Sequence, residues 1–161
     1  MGNIIYFEWV PTGTWVKTLA GFASLVTVFV LVITIAVGVV VHNPFLILVL
    51  ASALAFVLFM VWNYRGIQIQ VTTKELSISY GFFNRRHIPI SNIVACEHTK
   101  AHLWKYGGVG VRYCFTDNSW AYITSFGDAV KIVQRGGRPF VFSSNNPEKL
   151  CDVIRQIKEC T

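Results

Sequence analysis

His98 and His102 stand four residues apart, next to Cys96 and Glu97, and imidazole, thiolate and carboxylate are the usual ligands of a divalent metal. On a helix that spacing would put both rings on one face. Here Asn92 to His98 reads as a strand and Thr99 to Gly110 as an irregular segment, so no metal site is expected. Gly107, Gly108 and Gly110 invite comparison with a phosphate-binding loop. The Gly-Lys-Ser/Thr of a Walker loop is missing, however, and Tyr113 stands where GxGxxG needs its last glycine. These glycines read instead as backbone freedom in a tight loop. No Ser-His-Asp set, paired acids or activated cysteine can be assembled, so the chain is read as no enzyme, with no catalytic residue and no cofactor. The four cysteines, Cys96, Cys114, Cys151 and Cys160, show no CxxC spacing. They are expected to be separate thiols, reduced if the domain is cytoplasmic, whereas a domain outside would make a disulfide plausible.

Surface chemistry is more promising at Phe82-Phe83, followed by Arg85-Arg86-His87 at the tip of a hairpin. Two exposed rings beside two cations suit an anionic membrane surface, where each basic residue contributes about 1 kcal/mol. Lys105, with Lys100, Arg112, Arg135 and Arg138 in other loops, would widen the patch. The plainer alternative is a solvated basic tip with both phenylalanines packed inward.

These residues must be positioned by a chain with a very uneven charge distribution. Thr18 to Trp62 is 45 residues without one Asp, Glu, Lys or Arg. Thr18–Val41 is 24 residues long and Phe45–Trp62 is 18, with His42, Asn43 and Pro44 between them. At about 1.5 Å per residue these make helices of roughly 36 and 27 Å, against a hydrocarbon core of about 30 Å. Asn-Pro signals a turn. The reading is a two-helix transmembrane hairpin over 18–62, with spans 18–41 and 45–62. Neither span contains an ionisable residue, which argues against a transporter core and for an anchor. Gly21 and Ser24 on the first helix, with Ala51 and Ala55 on the second, allow close helix contact within the hairpin or between copies.

Residues 1–17 carry Tyr6, Phe7, Trp9 and Trp15 and are expected to lie as an aromatic segment at headgroup depth. Lys17 precedes the first helix and Arg65 follows the second, while the connection has no cation. The positive-inside bias therefore predicts a cytoplasmic-membrane protein with two spans and both termini in the cytoplasm. Residues 63–161 hold 13 of the 14 Lys and Arg and 7 of the 8 Asp and Glu, so the net charge of +6 belongs to one basic soluble domain.

Within that domain the apolar period changes to two. Ile67, Ile69 and Val71 alternate with polar residues, as do Leu76, Ile78 and Tyr80, giving a first hairpin. Further strands are expected at Arg85–Pro89, Asn92–His98, Val111–Phe115, Trp120–Thr124, Ala129–Gln134 and Arg138–Phe142. Asn146-Pro147-Glu148 then starts a helix over about 147–159, with Leu150, Val153, Ile154 and Ile157 on one stripe.

This order of strands first and one capping helix last resembles the pleckstrin-homology-like barrel. The residues that carry the likeness are Trp104, Tyr106, Gly107, Gly108, Gly110 and Arg112, then Trp120-Ala121-Tyr122, Ala129-Val130, Gly136-Gly137-Arg138, and Asn146-Pro147-Glu148 with Leu150. Over about residues 66–158 the chain is similar to bacterial PH domains that follow a two-helix hairpin. The fold class expected is membrane α plus soluble α+β: a two-helix transmembrane hairpin, then a PH-like antiparallel β-barrel capped by a C-terminal helix. The resemblance implies a membrane-tethered binding or scaffolding module and brings no catalytic residues. The expected partners are membrane lipids, further copies of the chain in a homo-oligomer, and protein segments added to a sheet edge; nucleic acid is not expected. The alternative is a small oligomeric pore or transport accessory built from several hairpins.

Overall fold

The computed structural model describes residues 3–37, 44–102 and 106–159. The chain forms two compact units, one of residues 14–63 and one that joins residues 1–13 to 64–161. The first unit is two apolar helices that pack together, α1 (Thr14–Ala36) and α2 (Pro44–Asn63). Each is long and apolar enough to cross a membrane, and no part of either apolar window is buried. The half-buried residues of α1 run Val16, Ala20, Ser24, Thr27, Leu31 and Thr34, the helical spacing of one contact stripe. The hydroxyls of Thr18, Ser24, Thr27, Thr34 and Ser52 donate to carbonyls three or four residues earlier in their own helices. That bonding satisfies the hydroxyls within their own helices. The expected turn at His42 and Asn43 lies outside the described residues.

The second unit opens with a strand. β1 (Ile4–Pro11) pairs antiparallel with β2 (Gly66–Thr72), so the apolar hairpin is an insertion between two neighbouring strands. Within residues 1–17, read above as an interfacial segment, the structure forms this strand: Tyr6, Glu8 and Val10 point inward, and Ile5, Phe7 and Trp9 stay exposed. The alternation is hard to see because the outward side is apolar and the inward side carries a carboxylate. β3 (Glu75–Tyr80) and β4 (Asn84–Pro89) complete sheet A in the order β1-β2-β3-β4, all antiparallel. A side chain at Gly66 would come within 2.6 Å of the Trp9 ring and 2.7 Å of the Val10 carbonyl, so only glycine lets β1 approach here.

A 3-10 turn (Ile90–Asn92) leads to sheet B, whose strands are β5 (Ile93–Ala101), β6 (Gly110–Cys114), β7 (Ser119–Ile123), β8 (Gly127–Gln134) and β9 (Phe140–Ser143). Their order is β5-β8-β9-β7-β6, with β7 and β9 parallel and the other neighbours antiparallel. The expected all-antiparallel barrel is therefore replaced by two sheets, one with a parallel pair, and no ladder joins them among the described residues. Pro89 ends β4 without a backbone donor, and the 3-10 turn redirects the chain before β5 can pair with β4.

Ile69 and Ile78 from sheet A and Val130, Phe140 and Phe142 from sheet B share one core. The last helix, α3 (Pro147–Glu159), adds Leu150, Cys151, Ile154 and Ile157 to it. The opposite face of sheet B carries a smaller cluster of Ala121, Ile123, Ala129 and Val141 with Tyr106. Cys96 and Cys151 form a disulfide that ties β5 to α3, which corrects the expectation of separate thiols. The partners are 55 residues apart, so only the packing of α3 against β5 reveals the pair. Cys114 is buried and takes no part in this disulfide.

Glu8 joins the two ends of this unit. Its carboxylate accepts from the Tyr6 hydroxyl at 2.9 Å and the Ser144 hydroxyl at 2.9 Å. It also accepts from the Asn145 and Asn146 backbone N–H groups, at 2.5 and 3.3 Å. The charge thus sits at the start of α3, where orphan N–H groups and the helix dipole favour an anion. Burial, reinforced by the bond to Glu8, holds the Tyr6 phenol well above its ordinary range.

Candidate functional site

Register decides which loops share an end of sheet A. Pro11 lies opposite Gly66, Ile67 opposite Tyr80, and Tyr80 opposite Asn84. The β3–β4 turn at Gly81-Phe82-Phe83 therefore occupies the same end of the sheet as residues 11–13 and 64–66, where the chain enters and leaves the apolar helices. This end is cross-braced. The Thr12 N–H donates to the Arg65 carbonyl at 2.9 Å, the Thr12 hydroxyl donates to the Tyr64 carbonyl, and the Gly13 N–H donates to the Thr124 carbonyl at 2.8 Å. Asn84 Nδ2 donates to the Tyr64 hydroxyl at 3.4 Å. Tyr64 meets Tyr80 edge-on at 5.1 Å, and Tyr80 continues to Tyr122 and Phe140. Burial and the neighbouring Tyr64 push the Tyr80 phenol up to about 12, so it remains a neutral packing group.

On this base Gly81 takes a φ of 71°, which few other residues tolerate, and the turn projects Phe82 and Phe83, 65% and 74% exposed. The alternative in which both rings pack inward is thereby excluded. Arg85 and Arg86 follow on β4, both exposed, and neither pairs with a carboxylate among the described residues. They differ in direction. Arg85 shares the outer face with Ser79 and His87, whereas Arg86 leans over the Phe140 ring at 6.0 Å. Arg65 stands over the Trp9 ring at 5.8 Å at the same end. Lys105 and Trp104 lie outside the described residues.

The other sequence candidates are dispersed. Cys96 is committed to its disulfide, and His98 Nε2 lies 3.1 Å from Asp128 rather than beside His102. Gly107, Gly108 and Gly110 all adopt positive φ in a loop whose Val109 carbonyl accepts from Arg112 Nε. Of the small residues proposed for helix packing, Ser24 lies on the half-buried stripe of α1, while Gly21, Ala51 and Ala55 are exposed. Sequence reasoning missed β1 and Glu8. The one available signal was an isolated acid, the only one in the first 62 residues, in a run otherwise fit for a strand.

Two sheets packed around one core with a C-terminal helix, and two apolar helices inserted in the chain between β1 and β2, define the architecture. Residues 16–118 match the family of bacterial PH domains, and the chain belongs to that family. The match begins inside α1 and ends in the turn after β6, so the hairpin is part of the family pattern and β7 to α3 lie beyond it. That places the likeness further toward the N-terminus than residues 66–158. Membership suggests a binding or scaffolding module. No curated protein and no solved structure matches the chain.

Proposed function

We propose that the protein is a membrane-anchored binding module whose hairpin spans the bilayer and whose exposed tip, Phe82 to Arg86, rests on anionic headgroups. The observation behind this reading is the register that gathers the tip and both hairpin junctions at one end of sheet A. Two rings can enter the interface while Arg85, on the outer face of β4, meets the headgroup charge. The anchor raises the local concentration, so individually weak contacts suffice. Amide exchange on the full chain in nanodiscs tests this. Residues 81–86 should exchange more slowly in phosphatidylserine-rich discs than in phosphatidylcholine discs, and Arg85→Glu with Arg86→Glu should erase the difference. Equal exchange in both lipids contradicts the reading.

Because β1 pairs with β2, residues 4–13 and 64–161 must lie on one side of the membrane. By the positive-inside bias Lys17 and Arg65 favour the cytoplasm as that side. Glutathione there would keep Cys96 and Cys151 reduced, so their disulfide weighs against the cytoplasmic side and for an oxidising one. Alkylation with maleimide as cells are lysed in denaturant decides the side: both thiols modified without added reductant supports the cytoplasm. Protection of both until a reductant is added would put the domain on the oxidising side. Exposed Gly21, Ala51 and Ala55 are the contacts we assign to a second copy in a homo-oligomer.

A further inference from the structure

We propose that the rings at the β6 margin of sheet B, Trp120, Tyr113 and Phe115, bind single-stranded nucleic acid, with bases on the rings and phosphates on Arg135 and Arg138. This site is separate from the tip at Phe82 to Arg86 and does not depend on the membrane reading. Register builds it. Phe140 on β9 lies beside Trp120 on β7, and Trp120 lies opposite Tyr113 on β6, so three aromatic residues share one face of three neighbouring strands. Side chains in such a row step by about 5 Å from strand to strand. Phe140 is 1% exposed in the core, Trp120 38% and Phe115 88%, so the row passes from the core into solvent toward β6, the last strand of the sheet. The sequence did not suggest this partner, because no local pattern brings β6, β7 and β9 together.

Edge-to-face contacts and hydrogen bonds fix the rings. Tyr113 meets Trp120 at 5.2 Å and Phe115 at 5.0 Å, both edge-on. The Tyr113 hydroxyl donates to the Asn118 side-chain carbonyl across the β6–β7 turn. The Trp120 N–H donates to the Pro139 carbonyl at 3.1 Å, which ties that turn to the one between β8 and β9. The second turn brings the charge. Arg135 and Arg138 are exposed, Arg138 stands over the Tyr113 ring at 5.5 Å, and neither pairs with a carboxylate among the described residues. A guanidinium stacked on a ring still presents its planar fork to a phosphate. Asp117 is the only acid in the two turns.

Each feature narrows the ligand. A neutral glycan would use the rings and leave both arginines idle, whereas a run of Asp and Glu would use the arginines and leave the rings bare. A duplex hides its base faces, while a single strand offers them to aromatic side chains on a sheet. A small molecule needs enclosure, and this row is open to solvent. Lipid headgroups held by the Phe82 tip do not reach it. Thr124, whose carbonyl accepts from the Gly13 N–H, follows Trp120 by four residues, about 13 Å along the strand.

The test is fluorescence anisotropy of labelled oligouridine or oligothymidine with the full chain in phosphatidylcholine nanodiscs, whose lipid carries no net charge. Binding of either is expected, falling steeply with added salt, and a duplex of the same length should bind about tenfold more weakly or worse. Phe115→Ala should weaken binding about fivefold or more, and Phe115→Trp should preserve it. Arg135→Glu with Arg138→Glu should weaken it and flatten the salt dependence. Phe82→Ser with Phe83→Ser should leave it unchanged, so failure of the tip and failure of the rings are read separately. Phe115, Arg135 and Arg138 are exposed, so the fold should hold, and each variant is checked for an unchanged melting temperature. No binding of either oligomer, equal binding of the duplex or of polyglutamate, or binding indifferent to Phe115→Ala on a folded protein overturns the proposal.

Discussion

Replacing residues 14–63 with a short Asn-Gly turn is expected to give a protein that stays in solution without detergent and keeps both sheets, whereas deleting residues 1–63 is expected to abolish folding. The first outcome follows from the junction. Pro11 opposes Gly66, and the Thr12 N–H reaches the Arg65 carbonyl at 2.9 Å, so the chain on either side of the insertion already has the spacing of a β-hairpin. The second follows from what β1 covers. Ile67, Ile69 and Val71 are completely buried in a sheet whose outer neighbour is β1. Removing β1 takes Tyr6 and Val10 from the core and exposes one flank of β2. At about 1.5–3 kcal/mol for each large side chain, this costs about 4 kcal/mol before the loss of Glu8, against a total stability of about 5–15 kcal/mol for a domain. Circular dichroism melts and sedimentation of the two variants decide it. A cooperative melt from the truncated chain would show that β1 is dispensable.

The second large effect is expected at Glu8. Glu8→Ala leaves the Tyr6 and Ser144 hydroxyls and the Asn145 and Asn146 N–H groups without their shared acceptor, in a site where Glu8 is only 6% exposed. Orphaned buried donors cost about 1–3 kcal/mol each, with partial relief from water that enters the cavity, so a loss of about 3–5 kcal/mol is expected. Glu8→Gln keeps one carbonyl acceptor but loses the charge facing the start of α3, and should fall between the two. Urea titration measures both, as a fall in the unfolding midpoint. A loss below about 1 kcal/mol for Glu8→Ala would mean the network is not a structural tie.

The sequence shows most plainly what periodicity and length express. Two apolar runs read as helices, the stripe of Leu150, Ile154 and Ile157 reads as a capping helix, and the alternation through Ile67–Val71 and Leu76–Tyr80 reads as a hairpin. Sheet pairing is long-range and was legible only in part. β7 lies parallel to β9, two hairpins side by side, and no local pattern distinguishes that from a meander. β1 hid for a related reason: its partner β2 begins at Gly66, 55 residues after Pro11, across the insertion of both apolar helices. The cysteine pair needed the same tertiary information. At the tip, Phe82, Phe83, Arg85 and Arg86 were visible as residue types, but their place at the end of sheet A where the chain enters and leaves the apolar helices comes from register alone.

The claim that this end of the domain is a membrane-binding surface is tested most directly by vesicle co-sedimentation of the variant in which the turn replaces residues 14–63, with no anchor to hold it. The account predicts binding to phosphatidylserine-containing vesicles that weakens with added salt, is lost on Phe82→Ser with Phe83→Ser or on Arg85→Glu with Arg86→Glu, and is absent with phosphatidylcholine alone. A folded variant that sediments equally little with both lipids, or equally well after the tip is changed, would contradict it.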